Sequence, residues 1–343
     1  MTDIAAPNAF DELRALIRDL PGPDAEAASQ ARARQGELTK PPGSLGRLEE
    51  IAEWLAAWQG RHPPAIDQAL VVVYAGNHGV TAQGISAFPQ EVTAQMVANF
   101  RSGGAAINQL CTSFGLGLKV FELALEVPTG DITVGPALSD EDCAGTIVYG
   151  FEAVAEDLDL LCVGEMGIGN TTSASALCLA LFGGEAEDWA GPGTGLDADG
   201  IRHKAKVIER AVSLHREAAA GDPLALLARL GGRELAAICG AIIGARMRQV
   251  PVILDGFVTT AAAAVLQSIS PSALDHCLVG HCSAEPAHRR LLKHLGKEPL
   301  LDLGMRLGEA SGAALAVGVV KAAAQIHKGM ATFAEAGVSA KAT

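Results

Sequence analysis

The stretch "LDLLCVGEMGIGNTTSASAL" (158–177) decides the fold. A short apolar run, 158–164, ends at a glycine. A glycine-rich turn follows, and then a small-residue helical pattern opens. A buried parallel strand feeding a helix reads this way. The same texture recurs in "QALVVVYAG" (68–76), "LKVFELAL" (118–125), "VPVILDG" (250–256), "HCLVG" (276–280) and "PLLDLG" (299–304). Helical patterns separate them, including "KAKVIERAVSLHREA", "GRELAAICGAIIGARM" and "TTAAAAVLQSI". The expectation is an α/β fold: a doubly wound, mostly parallel open sheet of about six strands.

The flanks of the chain look different. "SLGRLEEIAEWLAAW" (44–58) places Leu45, Leu48, Ile51, Leu55 and Trp58 at helical spacing, with Ser44 as the expected N-cap. "RHPP" (61–64) reads as a linker. A last helix is expected over about 308–328, followed by a small polar tail. The expected division is a smaller helical domain from 1–64 and 305–343 beside a sheet domain at 65–304.

Composition excludes several functions. Of 343 residues, 49% are hydrophobic but only 4% aromatic, so the core is built of aliphatic side chains and alanine. The net charge of −13 argues against a nucleic-acid surface, which needs clustered Lys and Arg. A small anionic substrate stays open, because one helix N-terminus and one cation suffice locally. The start, "MTDIAAPNAFDELR", lacks the pattern of a secretory leader, and the apolar runs near 258–266 and 313–320 are too short for a bilayer. Seven scattered cysteines form no CxxC pair and read as buried thiols in a reducing compartment. The expected location is cytoplasmic, with no membrane and no nucleic acid as partner.

In open parallel sheets ligands sit beyond the carboxyl ends of the strands. Those ends carry "GNHGV" (76–80), "GEMGIGNTT" (164–172), "DGFVTT" (255–260), "GHCSAEP" (280–286) and "GMRLGEASG" (304–312). In "GIGNTTS", Gly167 and Gly169 let backbone amides approach a ligand. The helix start then favours phosphate, and Thr171 and Thr172 add hydroxyls. It is neither a P-loop nor a dinucleotide fingerprint, since the glycines run GxxGxG. A second polar loop, "AGPGTGLDADG" (190–200), holds Gly193 and Gly195 and precedes a helix with Lys204. Glu165 and Glu309 are both flanked by glycine at strand ends, which favours a shared cleft and a division of acid–base and electrostatic roles. His78 reads as either a ligand contact or a loop brace. His203, His288 and His294 read as surface residues on helices rich in Lys and Arg. In "DHCLVGHC" (275–282), His276 and His281 fall on opposite strand faces and read as ordinary residues. No metal and no cofactor are expected.

Taken in order, "LTKPPGSLGRLE" (38–49), "AGNHGV" (75–80), "FPQEVTAQMV" (88–97), "VGEMGIGNTTSASAL" (163–177), "GPGTGLD" (191–197), "LDGFVTTAAA" (254–263), "GHCSAEPAH" (280–288) and "LDLGMRLGEASGAALA" (301–316) resemble the nicotinate-nucleotide:5,6-dimethylbenzimidazole phosphoribosyltransferase family of cobalamin lower-ligand synthesis. The resemblance spans about 38–330. It implies a Rossmann-like sheet domain with a small helical domain, and a homodimer. It implies transfer of phosphoribose from nicotinate mononucleotide to dimethylbenzimidazole, yielding α-ribazole 5′-phosphate and nicotinate. Glu309 matches the catalytic base. Gly167, Gly169, Asn170, Thr171, Thr172, Gly193, Gly195 and Lys204 match phosphate and ribose contacts. Phe88, Pro89, Gln95, Met96, Met166 and Leu307 are the expected base pocket. Departures from the family pattern are "GEASG" where "GEGTG" is frequent, and Phe88 where tyrosine is frequent; the second touches base preference.

The chemistry gives Glu165 a role of its own. A nicotinate leaving group starts as a pyridinium, and positive charge moves to the ribose as its bond breaks. A carboxylate beside the ribose stabilises that charge, while the amides of Gly169, Asn170 and Thr171 hold the phosphate. An NAD-dependent oxidoreductase is disfavoured by the missing fingerprint. A non-catalytic ribazole- or nucleotide-binding protein on the same fold is disfavoured by Glu309, since a pure binder gains nothing from a base.

Overall fold

The computed structural model describes residues 8–339. The first seven residues of the stretch read for a leader lie outside them. Strands β1 (Ala69–Ala75), β2 (Gly117–Glu122), β3 (Leu160–Met166), β4 (Val252–Leu254), β5 (Cys277–His281) and β6 (Pro299–Leu301) form one sheet in the order β2-β1-β3-β4-β5-β6. Every neighbouring pair is parallel. The helices in chain order are α1 (Asp11–Arg18), α2 (Ala25–Glu37), α3 (Arg47–Gln59), α4 (Val92–Ser102), α5 (Ala106–Phe114), α6 (Asp140–Glu152), α7 (Asn170–Phe182) and α8 (Ala186–Trp189). They continue with α9 (Ala198–His215), α10 (Pro223–Leu230), α11 (Arg233–Met247), α12 (Phe257–Ile269), α13 (Pro286–Leu295), α14 (Ser311–Gly329) and α15 (Phe333–Ala336). No described helix is long and apolar enough to cross a membrane.

Strand periodicity divides the core into two layers. Leu70, Val72, Tyr74, Leu161 and Val163 face one side, under α6, α7 and α9 to α13. Val71, Val73, Leu160, Cys162 and Ile253 face the other, under α3, α5 and α14. Among the terminal helices, α3 packs on α2 and α14, whereas α1 reaches the opposite layer and touches α12. Helices α6 and α11 cross closely: a Cβ on Gly150 would strike Ala237 O and one on Gly240 would strike Ile147 O. Side chains there would hold the helices apart. All seven cysteines are buried free thiols.

Two local expectations need correction. The N-cap of α3 is Gly46, not Ser44. Ser44 N donates to Pro41 O at 3.1 Å and Gly46 N to Gly43 O at 3.0 Å, so tight turns use Ser44 before the helix begins. The apolar strand at 118–125 is not buried on both faces either. β2 has one neighbour, and its side chains are half-buried or exposed.

Candidate functional site

The chain runs from β1 outward to β2 and then returns to place β3 on the other side of β1, so the sheet order reverses between β1 and β3. Such a reversal opens a crevice at the strand ends. A cavity of about 410 Å³ lies there, reaching from the 165–171 turn across to the ends of β4, β5 and β6. Helix α7 starts at its wall, with Gly169 in the N-cap position at φ +93° and no side-chain cap. Asn170 N donates to Gly167 O at 3.2 Å and Thr172 N to Gly169 O at 2.9 Å. The amides of Gly169 and Thr171 donate to nothing among the described residues. Three expected phosphate amides thus narrow to two.

One end of the cavity concentrates carboxyl groups. Glu165, next to last in β3, is buried, and Asn170 Nδ2 donates to its Oε2. Burial first, then the charges of Asp255 and Glu234, push it up to about 8 against the lowering contact from Asn170. Glu309 reaches the same wall because its N–H donates to Glu165 O at 3.1 Å. Gly164 permits this approach, since a Cβ there would overlap Ala310. Glu309 and Ala310 both hold left-handed backbone, at φ +61° and +60°. That conformation costs a non-glycine residue about 1–3 kcal/mol and persists only where its surroundings enforce it. Glu309 is buried and its Oε2 has no partner among the described residues. Burial, then the Asp255 charge, push it up to about 7. Asp255 supplies the cap that α14 lacks locally, accepting from Gly312 N at 2.7 Å and Ala313 N at 3.0 Å. Burial still holds Asp255 near 7.

The other end carries a cation. Lys204 on α9 is wholly buried; Nζ donates to Thr171 Oγ1 at 2.7 Å and to Gly191 O at 3.3 Å. Desolvation pulls it down to about 8, opposed by the Glu285 charge. Gly193, at φ +51°, lies over Lys204 and Thr171, where a side chain would not fit. Glu285 Oε1 accepts from Gly193 N at 2.8 Å, and Arg306 Nη1 donates to Gly193 O at 2.9 Å. Thr194 Oγ1 accepts from Ala87 N at 3.0 Å, tying this loop to the segment before Phe88.

Of the residues expected from sequence, the cavity gathers Glu165, Glu309, Gly167, Gly169, Asn170, Thr171, Gly193, Phe88, Met96, Met166 and Leu307. Thr172 is buried beneath the turn. Lys204 lies behind Thr171 rather than on the wall, and Gly195, Pro89 and Gln95 stand outside it. On α4 the inward face is Val92 and Met96, one turn apart, so Gln95 points away. The side chain of Asn170 turns to Glu165. Sequence reading assigned no role to Asp255, His281, Ser283, Glu285 or Arg306. All but Asp255 line the cavity, and all lie in strand-end segments.

Three histidines also find their places. His288 is not a surface residue: it is buried, accepts from Ser283 N at 2.8 Å through Nδ1 and meets Thr260 Oγ1 at 2.9 Å through Nε2. The turn after β5 folds back over it, which helical charge patterning alone does not reveal. His276 turns to α11, with Nε2 donating to Ile242 O at 3.0 Å, while His281 faces Asp255 at 3.7 Å. No metal-ligand group of three or more His, Cys, Asp or Glu is gathered among the described residues.

Fold and cavity define a doubly wound α/β enzyme with a small-molecule site at its switch point. A phosphoribosyltransferase family matches residues 20–338. A nicotinate-nucleotide–dimethylbenzimidazole phosphoribosyltransferase of Sinorhizobium medicae (strain WSM419) is 63% identical over 97% of this chain and 98% of its own length. The protein of that name from Rhizobium meliloti (strain 1021) is similar to the same extent. The crystal structure of the Thermus thermophilus enzyme of this name is 43% identical, with a TM-score of 0.85 over 93% of this chain and 100% of that one. The chain belongs to this phosphoribosyltransferase family, enzymes that transfer a pentosyl group.

Proposed function

We propose that the protein transfers phosphoribose from nicotinate mononucleotide to 5,6-dimethylbenzimidazole, giving α-ribazole 5′-phosphate and nicotinate in cobalamin lower-ligand synthesis. The observation that carries this is Glu309: a buried carboxyl on left-handed backbone, one oxygen unpartnered, held near neutral pH at a cavity wall. A general base works best with a pKa near the operating pH.

The glycosidic C1′–N bond breaks, and its electron pair leaves with the nicotinate nitrogen, which becomes neutral. Positive charge spreads over the ribose, where Glu165 opposes it. Burial favours protonated Glu165, but the pyridinium nitrogen and the positive charge developing on the ribose favour its ionised form. A benzimidazole nitrogen forms the new bond to C1′ from the opposite face, inverting β to α. The proton on its other nitrogen passes to Glu309. The phosphate lies against the amides of Gly169 and Thr171 and the Lys204–Gly193 corner, in support of which these groups converge at one end. Apolar Phe88, Val92, Met96, Met166 and Leu307 suit a flat aromatic base. The leaving group departs neutral at its ring nitrogen, so the step needs no metal.

The acting form is a cytoplasmic homodimer on this reading. Exposed Phe88, Leu303 and Leu307 support an apolar contact near the cavity. The division into a sheet domain at 65–304 and a helical domain from 1–64 and 305–343 belongs to the same proposal. The test is incubation with nicotinate mononucleotide and a panel of bases in EDTA, with products identified by mass. α-Ribazole 5′-phosphate and nicotinate are expected with dimethylbenzimidazole. No ribosylated base would reject the reading. Loss of turnover in EDTA, restored by a divalent ion, would reject the metal-free step.

A further inference from the structure

The proposed chemistry uses nothing from the GNHGV turn (76–80), yet its histidine is wholly buried. His78 Nε2 pairs with Glu234 Oε1 in the first turn of α11. Its Nδ1 lies 3.1 Å from Ser173 Oγ, in the first turn of α7. Glu234 is also wholly buried. Glycines from separate loops make room for the pair. A Cβ on Gly76 would strike Glu234 Oε2, and one on Gly232 would strike the His78 ring. A Cβ on Gly167, at the cavity wall, would lie 3.4 Å from Glu234 Oε1. Glu234 Oε2 has no partner among the described residues, so no second donor offsets its charge.

We propose that His78, Glu234 and Ser173 form a positioning chain for this reaction: Ser173 fixes the first turn of α7, and Glu234 stands a buried negative charge behind Glu165. None of the three lines the cavity, so they act through α7 and Glu165 rather than on substrate. The groups facing Glu165 are Asp255 after β4, Glu234 on α11, Glu309 before α14 and the neutral amide of Asn170 on α7. His78 faces Glu234, and His281 faces Asp255. After burial and Asp255, Glu234 is the next influence raising the Glu165 carboxyl. A neutral Gln at 234 keeps the shape and removes the charge.

The inference rests on the proposed reaction, so its main readout is independent of turnover. In protein labelled with carboxyl-¹³C glutamate, the Glu165 resonance is assigned by its loss in Glu165→Gln and titrated in wild type and Glu234→Gln. The midpoint is expected to fall by at least about half a unit when the like charge is removed. An unmoved midpoint in a folded Glu234→Gln protein overturns the charge role. If that variant does not fold, Ser173→Ala serves instead. It is expected to weaken calorimetric binding of nicotinate mononucleotide about fivefold, for one lost hydrogen bond, with the Glu165 midpoint unmoved. Unchanged affinity overturns the positioning role. A wild-type protein that makes no α-ribazole 5′-phosphate while the midpoint still shifts rejects the reaction and keeps the electrostatic coupling.

Discussion

Two glycine-flanked glutamates meet in one cavity and are held in opposite ways. Glu165 stands on a strand, next to last in β3, and Asn170 occupies one of its oxygens. Glu309 stands on left-handed backbone between Gly308 and Ala310, and its Oε2 meets no donor among the described residues. Burial raises both, Glu165 to about 8 and Glu309 to about 7. Carboxylate chemistry does not separate them; hydrogen bonding and backbone do. A carboxylate tied by an amide suits a fixed charge. One with a free oxygen on a loop suits a proton acceptor.

The comparison breaks most readily at Glu309. Glu309→Gln should bind nicotinate mononucleotide normally and lose roughly 10²–10⁴-fold in turnover, the range for a lost general base. In wild type, turnover should fall as pH drops through about 7, because protonated Glu309 cannot accept the azole proton. That limb should be missing in the variant. Retention of more than about a third of wild-type turnover, far outside that range, would make Glu165 the next candidate. Glu165→Gln should cost on the order of 10²-fold in turnover, as for other single electrostatic contacts to a transition state. The Glu309 limb should survive in it. If the limb vanishes in Glu165→Gln and survives in Glu309→Gln, the two roles are exchanged.

A smaller effect belongs to the cationic end. Lys204→Ala should raise the Michaelis constant for the nucleotide about ten-fold or more, with turnover nearly unchanged, because a phosphate contact binds ground and transition states alike. Lys204 is held near 8, so wild-type nucleotide affinity should weaken as pH rises through that value. A fall in turnover without a change in the Michaelis constant would place Lys204 in the chemistry instead.

Much of this arrangement was legible in the chain. Each of the six short apolar runs read as strands became one, since aliphatic stretches that mostly end at glycine have few alternatives in an α/β chain. Glu165 and Glu309 were found by their glycine neighbours, and the structure supplies the reason: a side chain at Gly164 would collide with Ala310, and one at Gly308 with the Glu165 carboxyl. Asp255, Glu285 and Arg306 were missed as residues although their segments were read as strand ends. Their partners are the N-terminus of α14 and the backbone of Gly193, 57 or more positions away, and no local pattern encodes such a contact. His288 misled for a similar reason. Its helix carries basic residues, but the buried face is fixed by Thr260 and Ser283.

The smallest effect is on stability, and it sharpens the comparison between the glutamates. A carboxyl ionises near 4.5 in the unfolded chain but near 8 at Glu165 in the fold. Between those values the folded state holds a proton that the unfolded state has lost. Stability therefore falls as pH rises from about 4.5 through about 8, and then levels. Glutamine is always neutral and still offers Asn170 an oxygen. Glu165→Gln should thus change little at pH 4 and gain about 1–2 kcal/mol at pH 8, as functional carboxylates often lower stability. For Glu309 the same window closes near 7. Thermal melts from pH 4 to 9 should show the Glu309→Gln gain levelling first, while the Glu165→Gln gain still grows between about 7 and 8. Gains that level together would mean that the two carboxyls titrate as one coupled pair, and that Asn170 does not set them apart.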